Sequence, residues 1–424
     1  MGLQRTWGTD RWWLPCLAVT TIPTLAWLRA AVAGLLTGSI GTDFCNFYTA
    51  AIQFERHAFY DSGSFLPTMR ELVYVSSGTA RDQPAFVQPP HAALLLEPFT
   101  ELGPTQAFNL YFAIALVATI AGTWLFFEQW PLRSRLLACA LMPFSWLSLG
   151  NLFSGSDTWL VYLGAALVWH GRTTNKATAT AFGLCLALVK PQIGIWLLLI
   201  VASDGAWRQS GARWLLPGAL TVWLAAPLAI TGNAGLYGRF AHSLLTYQHG
   251  AQANQPNARG ILELLVGERP ATALAALVAV AGAAGILRVV HRARLFEDWR
   301  RRWLLGMAIA LFVTPFDHSS EVWLLLPLVI VELYPAGPDR LPYGPSAKLT
   351  AAWWYWLLFP GVGFFVGANG GFGSAYYASY VLVAIAIGAG RLDGVYRATA
   401  ALPDAPPACA SLAPALPIAE QSHH

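Results

Sequence analysis

The chain has 424 residues, of which 56% are hydrophobic and only 11% are charged. Soluble domains carry about 25% charged residues, so this chain lacks the charges that a water-facing surface of its size needs. Its net charge of +4 comes without a run of Lys and Arg interleaved with aromatic residues, the pattern typical of nucleic-acid binding. We therefore predict an integral membrane protein that contacts membrane lipid and has no nucleic-acid partner.

Apolar runs that could cross a bilayer recur along the chain, since a spanning helix needs about 20 apolar residues. Long runs cover 14–36, 105–127, 213–231, 271–289, 349–366 and 375–390, and shorter runs form pairs at 134–149 with 157–170, 177–189 with 191–203, and 303–316 with 321–335. The first run follows Arg5 and Arg11 but lacks a small-residue cleavage site, so we interpret it as an uncleaved span. The predicted fold class is an all-α, polytopic transmembrane helical bundle of about 12 spans.

Charge favours one of two interpretations of the paired runs. Each pair could be one long kinked helix, or a hairpin that crosses the bilayer twice. With three hairpins, the clusters of Lys and Arg fall consistently on one side, which the positive-inside rule assigns to the cytoplasm together with both termini. This topology predicts a multi-span domain over 1–399, outer loops at 37–104 and 232–270, and a disordered, Pro/Ala-rich cytoplasmic tail over 400–424.

The same topology gathers unusual polar residues on the outer face. Asp43 follows the first span, Lys190 interrupts a strongly apolar stretch, and His318 lies in the third hairpin turn. We also predict that 45–60, which mixes aromatic and polar residues, forms a helix in the membrane interface within the long outer loop. Weaker candidates for substrate binding are His57, Gln88, His91, Asn151, Gln192, Asn257 and Asp317.

These residues also have ordinary structural explanations. Asn151 and Asp157 lie at a hairpin turn, where helix caps are commoner than ligands. Asp43 fits a cap as well as a functional site, and the Asp317–His318 pair fits a turn equally well. Lys190 favours function, because a charge flanked by apolar residues at membrane depth is costly.

A carboxylate, a lysine and one or two histidines at a shared rim could act as a general base and an anion clamp. A carboxylate can accept a proton from a substrate hydroxyl within hydrogen-bond reach, and cations can stabilise a departing phosphate. The sequence has no HExxH motif and no Gly-rich phosphate loop. No metal site is predicted, although a divalent metal stays an open alternative, and we expect the chemistry to require no cofactor.

In these residues the chain resembles glycosyltransferase family 87, the DUF2029 group of membrane enzymes with GT-C architecture. The resemblance covers about residues 10 to 395, although Gln88 and the order Asp-His-Ser-Ser in the last motif depart from the family pattern. Four stretches match in order: Asp43 through Phe59-Tyr60-Asp61, Gln88-Pro89-Pro90-His91 through Pro98-Phe99, Lys190-Pro191-Gln192, and Pro315-Phe316-Asp317-His318.

The resemblance implies an enzyme that moves a sugar, typically mannose, from a polyprenyl-phosphate donor to a lipid or glycan acceptor. It implies Asp43 as the catalytic base of an inverting transfer, and Lys190 and His318 as ligands of the donor phosphate. The expected location is the inner (cytoplasmic) membrane, with the active site facing the periplasm or outside. Two alternatives stay open: a transporter or flippase of a lipid-linked or anionic substrate, and a scaffold that binds lipid-linked sugars without catalysis.

Overall fold

The computed structural model describes residues 25, 29, 40–54, 56, 58–76, 86–203, 212–247, 257–291, 299–314, 319–333 and 381–385. Within these ranges the chain consists of helices joined by turns and loops and contains no strand, which confirms the predicted all-α class. Most of the predicted spans at 14–36 and 375–390, all of the span at 349–366, and the tail lie outside the described residues, as do His57, Asp317 and His318.

The α-helices are numbered here in chain order. They are α1 (Thr42–Ile52), α2 (Ser62–Ser76), α3 (Pro90–Leu96), α4 (Pro104–Phe126), α5 (Leu132–Leu141), α6 (Trp146–Ser154), α7 (Thr158–Thr174), α8 (Ala177–Ala187), α9 (Pro191–Ser203), α10 (Ala212–Thr231), α11 (Leu236–Tyr247), α12 (Ala258–Val266), α13 (Glu268–His291), α14 (Trp299–Val313) and α15 (Leu325–Leu333). Short 3-10 helices occur at Glu97–Glu101, Met142–Phe144 and Ser319–Leu324.

The local sequence explains where the central helices begin and end. The Ser145 side chain caps α6 by accepting a hydrogen bond from the Ser148 N–H, and the helix stops at Gly155, whose φ is +70°. Helix α7 stops at Asn175, whose φ is +56°. Glycine and asparagine tolerate this left-handed conformation, which ends a helix. Pro191 opens α9, where its missing N–H costs no helical hydrogen bond.

Large apolar side chains point outward on several helices. Val117 on α4 is 65% exposed, Trp214 on α10 is 76% exposed and Val280 on α13 is 71% exposed. Two helical stretches within the described ranges are long and apolar enough to cross a membrane, Pro104–Phe126 and Trp214–Thr231. Apolar exposure of this kind suits contact with lipid better than contact with water. The total of about 12 spans stays a prediction.

Each of the three paired runs reverses direction at its turn. In the third pair, Arg301 near the start of α14 contacts Glu332 near the end of α15, with 2.5 Å between Nε and Oε1. In the first pair, His170 near the end of α7 lies 2.6 Å (Nδ1–Oε2) from Glu128, which precedes α5. The chain direction is therefore that of hairpins; whether each hairpin crosses a bilayer twice stays a prediction.

The hairpins give the helical bundle two chemically different ends. The polar end contains the three hairpin turns, and the basic end contains the opposite helix termini. Apart from Lys190, the described Lys and Arg residues of these hairpins lie at the basic end: Arg133, Arg135, Arg172, Lys176, Arg300, Arg301 and Arg302. The structure therefore separates charge along the helices as the sequence predicts.

The prediction of an interfacial helix over 45–60 is wrong in both the extent of the helix and its surroundings. Helix α1 ends at Ile52, and its residues 44–51 are all buried, with α1 packed against α2, α3 and α6. The Phe44 and Tyr48 rings stack 5.5 Å apart within this core. The aromatic residues that suggest a membrane interface in the sequence instead pack inside the protein, because neighbouring elements cover α1 on nearly every side.

Helix α1 and the turn after α6 touch backbone to backbone. A Cβ atom added at Gly41 would lie 2.4 Å from the Ser154 carbonyl oxygen, and one added at Gly155 would lie 2.4 Å from the Phe44 Cβ atom. Only glycine allows so close an approach. The contact fixes Asp43, two residues beyond Gly41, beside the first hairpin turn.

We expect Gly155→Ala to lower the free energy of unfolding by about 2 kcal/mol or more, because a left-handed residue with a Cβ atom costs about 1 to 2 kcal/mol and the clash with Phe44 adds to it. The matched control is Gly150→Ala within α6, where an added Cβ atom meets nothing within 4 Å. Thermal unfolding in detergent should show a loss for the first variant and none for the second. Equal melting temperatures would contradict the close contact.

Candidate active site

A buried ion-pair cluster joins the three hairpin turns at the polar end. The Lys190 ammonium lies 2.5 Å from Glu321 Oε1 and 3.3 Å from Asp157 Oδ1. It also donates a hydrogen bond of 2.8 Å to Thr158 Oγ1. Lys190, Asp157 and Glu321 are 3%, 2% and 0% exposed. Buried charges are tolerated when they are paired and hydrogen-bonded, so these three side chains stabilise one another.

Asp157 does not have the capping role that its position suggests. It is the N-cap residue of α7, yet its side chain makes no cap hydrogen bond. Its carboxylate instead faces Lys190 across the ion pair. The residue therefore links the first hairpin turn to the second rather than terminating its own helix.

Asp43 borders this cluster and is more accessible than its members. It lies in the first turn of α1, where the helix dipole favours a carboxylate anion, and it is partly exposed. It is close enough to act electrostatically on Asp157, Lys190 and the Tyr111 phenol. Among the four charged residues at this place, Asp43 is therefore the one that a substrate can reach.

A second polar network lies beside the turn that carries Lys190. Asn257 caps α12 by accepting a hydrogen bond from the Gly260 N–H (2.9 Å), and its Nδ2 donates to the Thr314 carbonyl oxygen (2.7 Å). The Thr314 hydroxyl in turn lies 3.4 Å from the Gln192 carbonyl oxygen. Gln192 and Asn257 are thus brought together through Thr314, which directly precedes the Pro-Phe-Asp-His motif in the sequence.

His91 is a buried link between helices. Its Nε2 donates a hydrogen bond of 2.9 Å to the Leu188 carbonyl oxygen, its Nδ1 lies 3.4 Å from the Tyr237 hydroxyl, and its ring lies 5.3 Å from that of Trp223. Burial lowers the pKa of His91 to about 4, and the hydrogen bond to Leu188 opposes this only in part. A neutral His91 therefore anchors the turn two residues before Lys190.

Gln88 and Asn151 also form hydrogen bonds with other residues of the protein. The Gln88 carbonyl oxygen accepts a hydrogen bond of 2.6 Å from the Tyr60 hydroxyl. The Asn151 Nδ2 donates to the Leu147 carbonyl oxygen at 2.8 Å, and this side chain is 2% exposed. Substrate binding by Gln88, His91, Asn151, Gln192 and Asn257 stays a prediction.

Sequence reasoning overlooked Glu321, which is at the centre of the ion-pair cluster. The available signal was an acidic residue that directly precedes the apolar run VWLLLPLVIV. A charge in such a position is costly unless it has a partner. Its partner could not be identified from sequence, because Lys190 lies 131 residues earlier in the chain.

An all-α bundle with apolar, outward-facing helices and a charged cluster at one end defines a membrane-type protein with a polar-end site. Over residues 86–315, more than half of its length, the chain matches the model of glycosyltransferase family 87. The chain therefore belongs to glycosyltransferase family 87. No curated protein and no solved structure matches it.

Family membership supports a membrane glycosyltransferase over the two alternatives. Members are membrane glycosyltransferases, which favours an enzyme over a transporter or a non-catalytic scaffold. The matched range includes Asp157, Lys190 and Asn257, whereas Asp43 and Glu321 lie outside it. The geometry alone therefore connects Asp43 and Glu321 to the matched region.

The buried, neutral state of His91 should make folding stability depend on pH. Between its folded pKa of about 4 and an unfolded value of about 6.5, the unfolded chain binds a proton that the folded protein does not. This part of the stability is present above pH 6.5 and is lost as the pH falls towards 4, with a slope of up to about 1.4 kcal/mol per pH unit.

We expect the melting temperature of the unaltered protein in detergent to fall more steeply over this pH range than that of His91→Gln. His242→Gln on α11, at an exposed position, is the control and should behave as the unaltered protein does. If His91→Gln and the unaltered protein lose stability in parallel, His91 is not buried in its neutral form.

Proposed function

We propose that this glycosyltransferase moves a sugar, with mannose as the first candidate, from a polyprenyl monophosphate to a lipid or glycan acceptor. The reaction takes place at the polar end of the bundle, on the extracytoplasmic face of the cytoplasmic membrane. The observation that carries the proposal is the position of Asp43, a partly exposed carboxylate beside a buried ion-pair cluster. We assign the polar end to the extracytoplasmic side because the basic residues lie at the opposite end, which the positive-inside rule places in the cytoplasm.

Asp43 is the general base in this scheme. Its carboxylate accepts the proton of an acceptor hydroxyl while that oxygen attacks the anomeric carbon of the sugar. The bond between the anomeric carbon and the phosphate oxygen breaks, its electron pair leaves with the polyprenyl phosphate, and the configuration at the anomeric carbon is inverted. A single displacement needs only one carboxylate in contact with the acceptor, as the partial exposure of Asp43 allows.

Binding of the donor phosphate by Lys190 and His318 stays part of the proposal. His318 lies outside the described residues. The Lys190 ammonium is engaged by Glu321, Asp157 and Thr158 in the structure, so its positive charge would act on the phosphate from within this cluster. Neither role requires a metal ion or another cofactor.

An apolar groove between α8 and α10 supplies a place for the isoprenoid chain. Its volume is about 510 Å³, and its walls include Phe182 and Cys185 on α8 and Leu215 and Val222 on α10. Trp223 also lines the groove and contacts His91, which holds the turn before Lys190. The groove therefore leads along the helices towards the cluster and could hold a chain with its phosphate near the polar end.

The base assignment predicts that Asp43→Asn lowers transfer by a factor of about 10² to 10⁴ without unfolding the protein. Membranes that contain the full chain are incubated with a panel of labelled polyprenyl-phosphate sugars, and the label that reaches a lipid or glycan product is counted. Asp61→Asn in the same loop, where Asp61 contacts only local groups in the described structure, should retain activity. Two results would contradict the proposal: full transfer by a folded Asp43→Asn variant, or the absence of transfer from every sugar donor in the panel.

Filling the groove should weaken binding of long donors selectively. Gly218 lines the groove, and a Cβ atom added there meets nothing within 4 Å. Gly218→Leu displaces about two methylene contacts worth about 0.8 kcal/mol each, so we expect about a 10-fold higher KM for a long-chain donor. A short-chain donor should be unaffected, as should Gly285→Leu on α13, another open glycine. Equal effects on both chain lengths would exclude this groove as the chain site.

A further inference from the structure

Glu321 has no role in the transfer reaction as derived above, yet among the described charged residues at the polar end it is the most deeply buried. It is 0% exposed and lies 2.5 Å from the Lys190 ammonium. A fully buried carboxylate is costly, and apolar replacement of a buried ion pair is often neutral for stability or better. A role in function is therefore a reasonable explanation for this residue.

Glu321 and Asp157 hold the Lys190 ammonium from two sides. The Glu321 contact is the shorter of the two, at 2.5 Å against 3.3 Å for Asp157. Thr158 accepts the remaining described hydrogen bond of the ammonium. Lys190 is thereby kept within the cluster, at a fixed place relative to Asp43, instead of extending towards the substrate side.

We propose that Glu321 is a positioning residue for the transfer reaction: by holding Lys190 against Asp157, it sets the balance of charge around Asp43. The inference rests on the proposed function, since it takes Asp43 as the base. Lys190 attracts the Asp43 carboxylate, whereas Glu321 and Asp157 repel it. The strength of Asp43 as a base therefore depends on Glu321 and Asp157, two carboxylates that do not touch the substrate.

Other groups near Asp43 form a constant background. Tyr111 on α4 lies within electrostatic reach, and the elements packed on α1 carry Arg70, Glu71, His91, Glu97 and Glu101. Of these, His91 is directed to Leu188 and Tyr237. None of them is changed in the test below, so a difference between variants reports on the cluster.

The test is the pH dependence of sugar transfer by the full chain, with the polyprenyl-phosphate sugar that supports transfer. The acid limb of the profile reports ionisation of the base. Glu321→Gln removes a negative charge, so the acid limb should move to lower pH, by about 0.5 to 1 unit. Lys190→Gln removes a positive charge, so the limb should move to higher pH by a similar amount. If Glu321 and Lys190 only maintained the fold, the two variants would not shift the acid limb in opposite directions.

Two further variants separate charge from shape. Glu321→Asp keeps the charge but shortens the side chain, so kcat should fall while the acid limb stays in place. Glu332→Gln removes a carboxylate of the same hairpin that pairs with Arg301 at the basic end, and its acid limb should match that of the unaltered protein.

The proposal is overturned if Glu321→Gln leaves the acid limb unmoved, or if Glu321→Asp moves it as far as Glu321→Gln does. It is also overturned if Lys190→Gln shifts the limb in the same direction as Glu321→Gln. Each of these results leaves the base assignment intact, provided that Asp43→Asn abolishes transfer. Retained activity in a folded Asp43→Asn variant would remove the base assignment itself.

Discussion

A lysine ammonium that is removed from water must have anionic partners close by, because its desolvation otherwise costs several kcal/mol. Lys190 satisfies this requirement with Glu321 and Asp157, which belong to two other helical hairpins. The three hairpin turns therefore cannot separate without leaving a charge buried and unpaired. Three other features lie around this ion-pair cluster: helix α1, the Asn257–Thr314 contact and the end of the groove near Trp223.

The structure separates two tasks that a membrane glycosyltransferase acting on the proposed lipid-linked donor must combine. Apolar helices and the groove between α8 and α10 provide surfaces that suit hydrocarbon. The polar end provides charged groups whose positions are set by ion pairs and buried hydrogen bonds. Asp43 is partly exposed at the polar end, whereas Asp157, Lys190 and Glu321 behind it are buried, as the proposed base role requires. Preorganised charge of this kind is most effective where water is excluded.

Composition and charge were sufficient to predict the all-α class, the reversal of all three hairpins and the gathering of polar residues at one end. Local pattern was insufficient for α1, because its mixed aromatic face suits a membrane interface and a protein core equally well, and only its neighbours decide between them. The His91 ring nitrogens lie beside Leu188 and Tyr237, contacts that its motif does not indicate, and substrate binding by His91 stays a prediction. Glu321 was overlooked because its significance depends on Lys190, and sequence spacing carries no record of so distant a pairing.

The close packing of Gly41 against the end of α6, and of Gly155 against α1, has a mechanical consequence. Because neither glycine has a side chain, the start of α1 and the end of α6 lie in direct van der Waals contact. Few side-chain atoms therefore separate Asp43 from the first hairpin turn. Any tilt of α6 is transmitted to the start of α1 as a rigid displacement rather than being absorbed by rotamer changes. The spacing between the acidic side chain and the charged cluster is thus set by main-chain geometry, which varies far less under thermal motion than a flexible side-chain contact would.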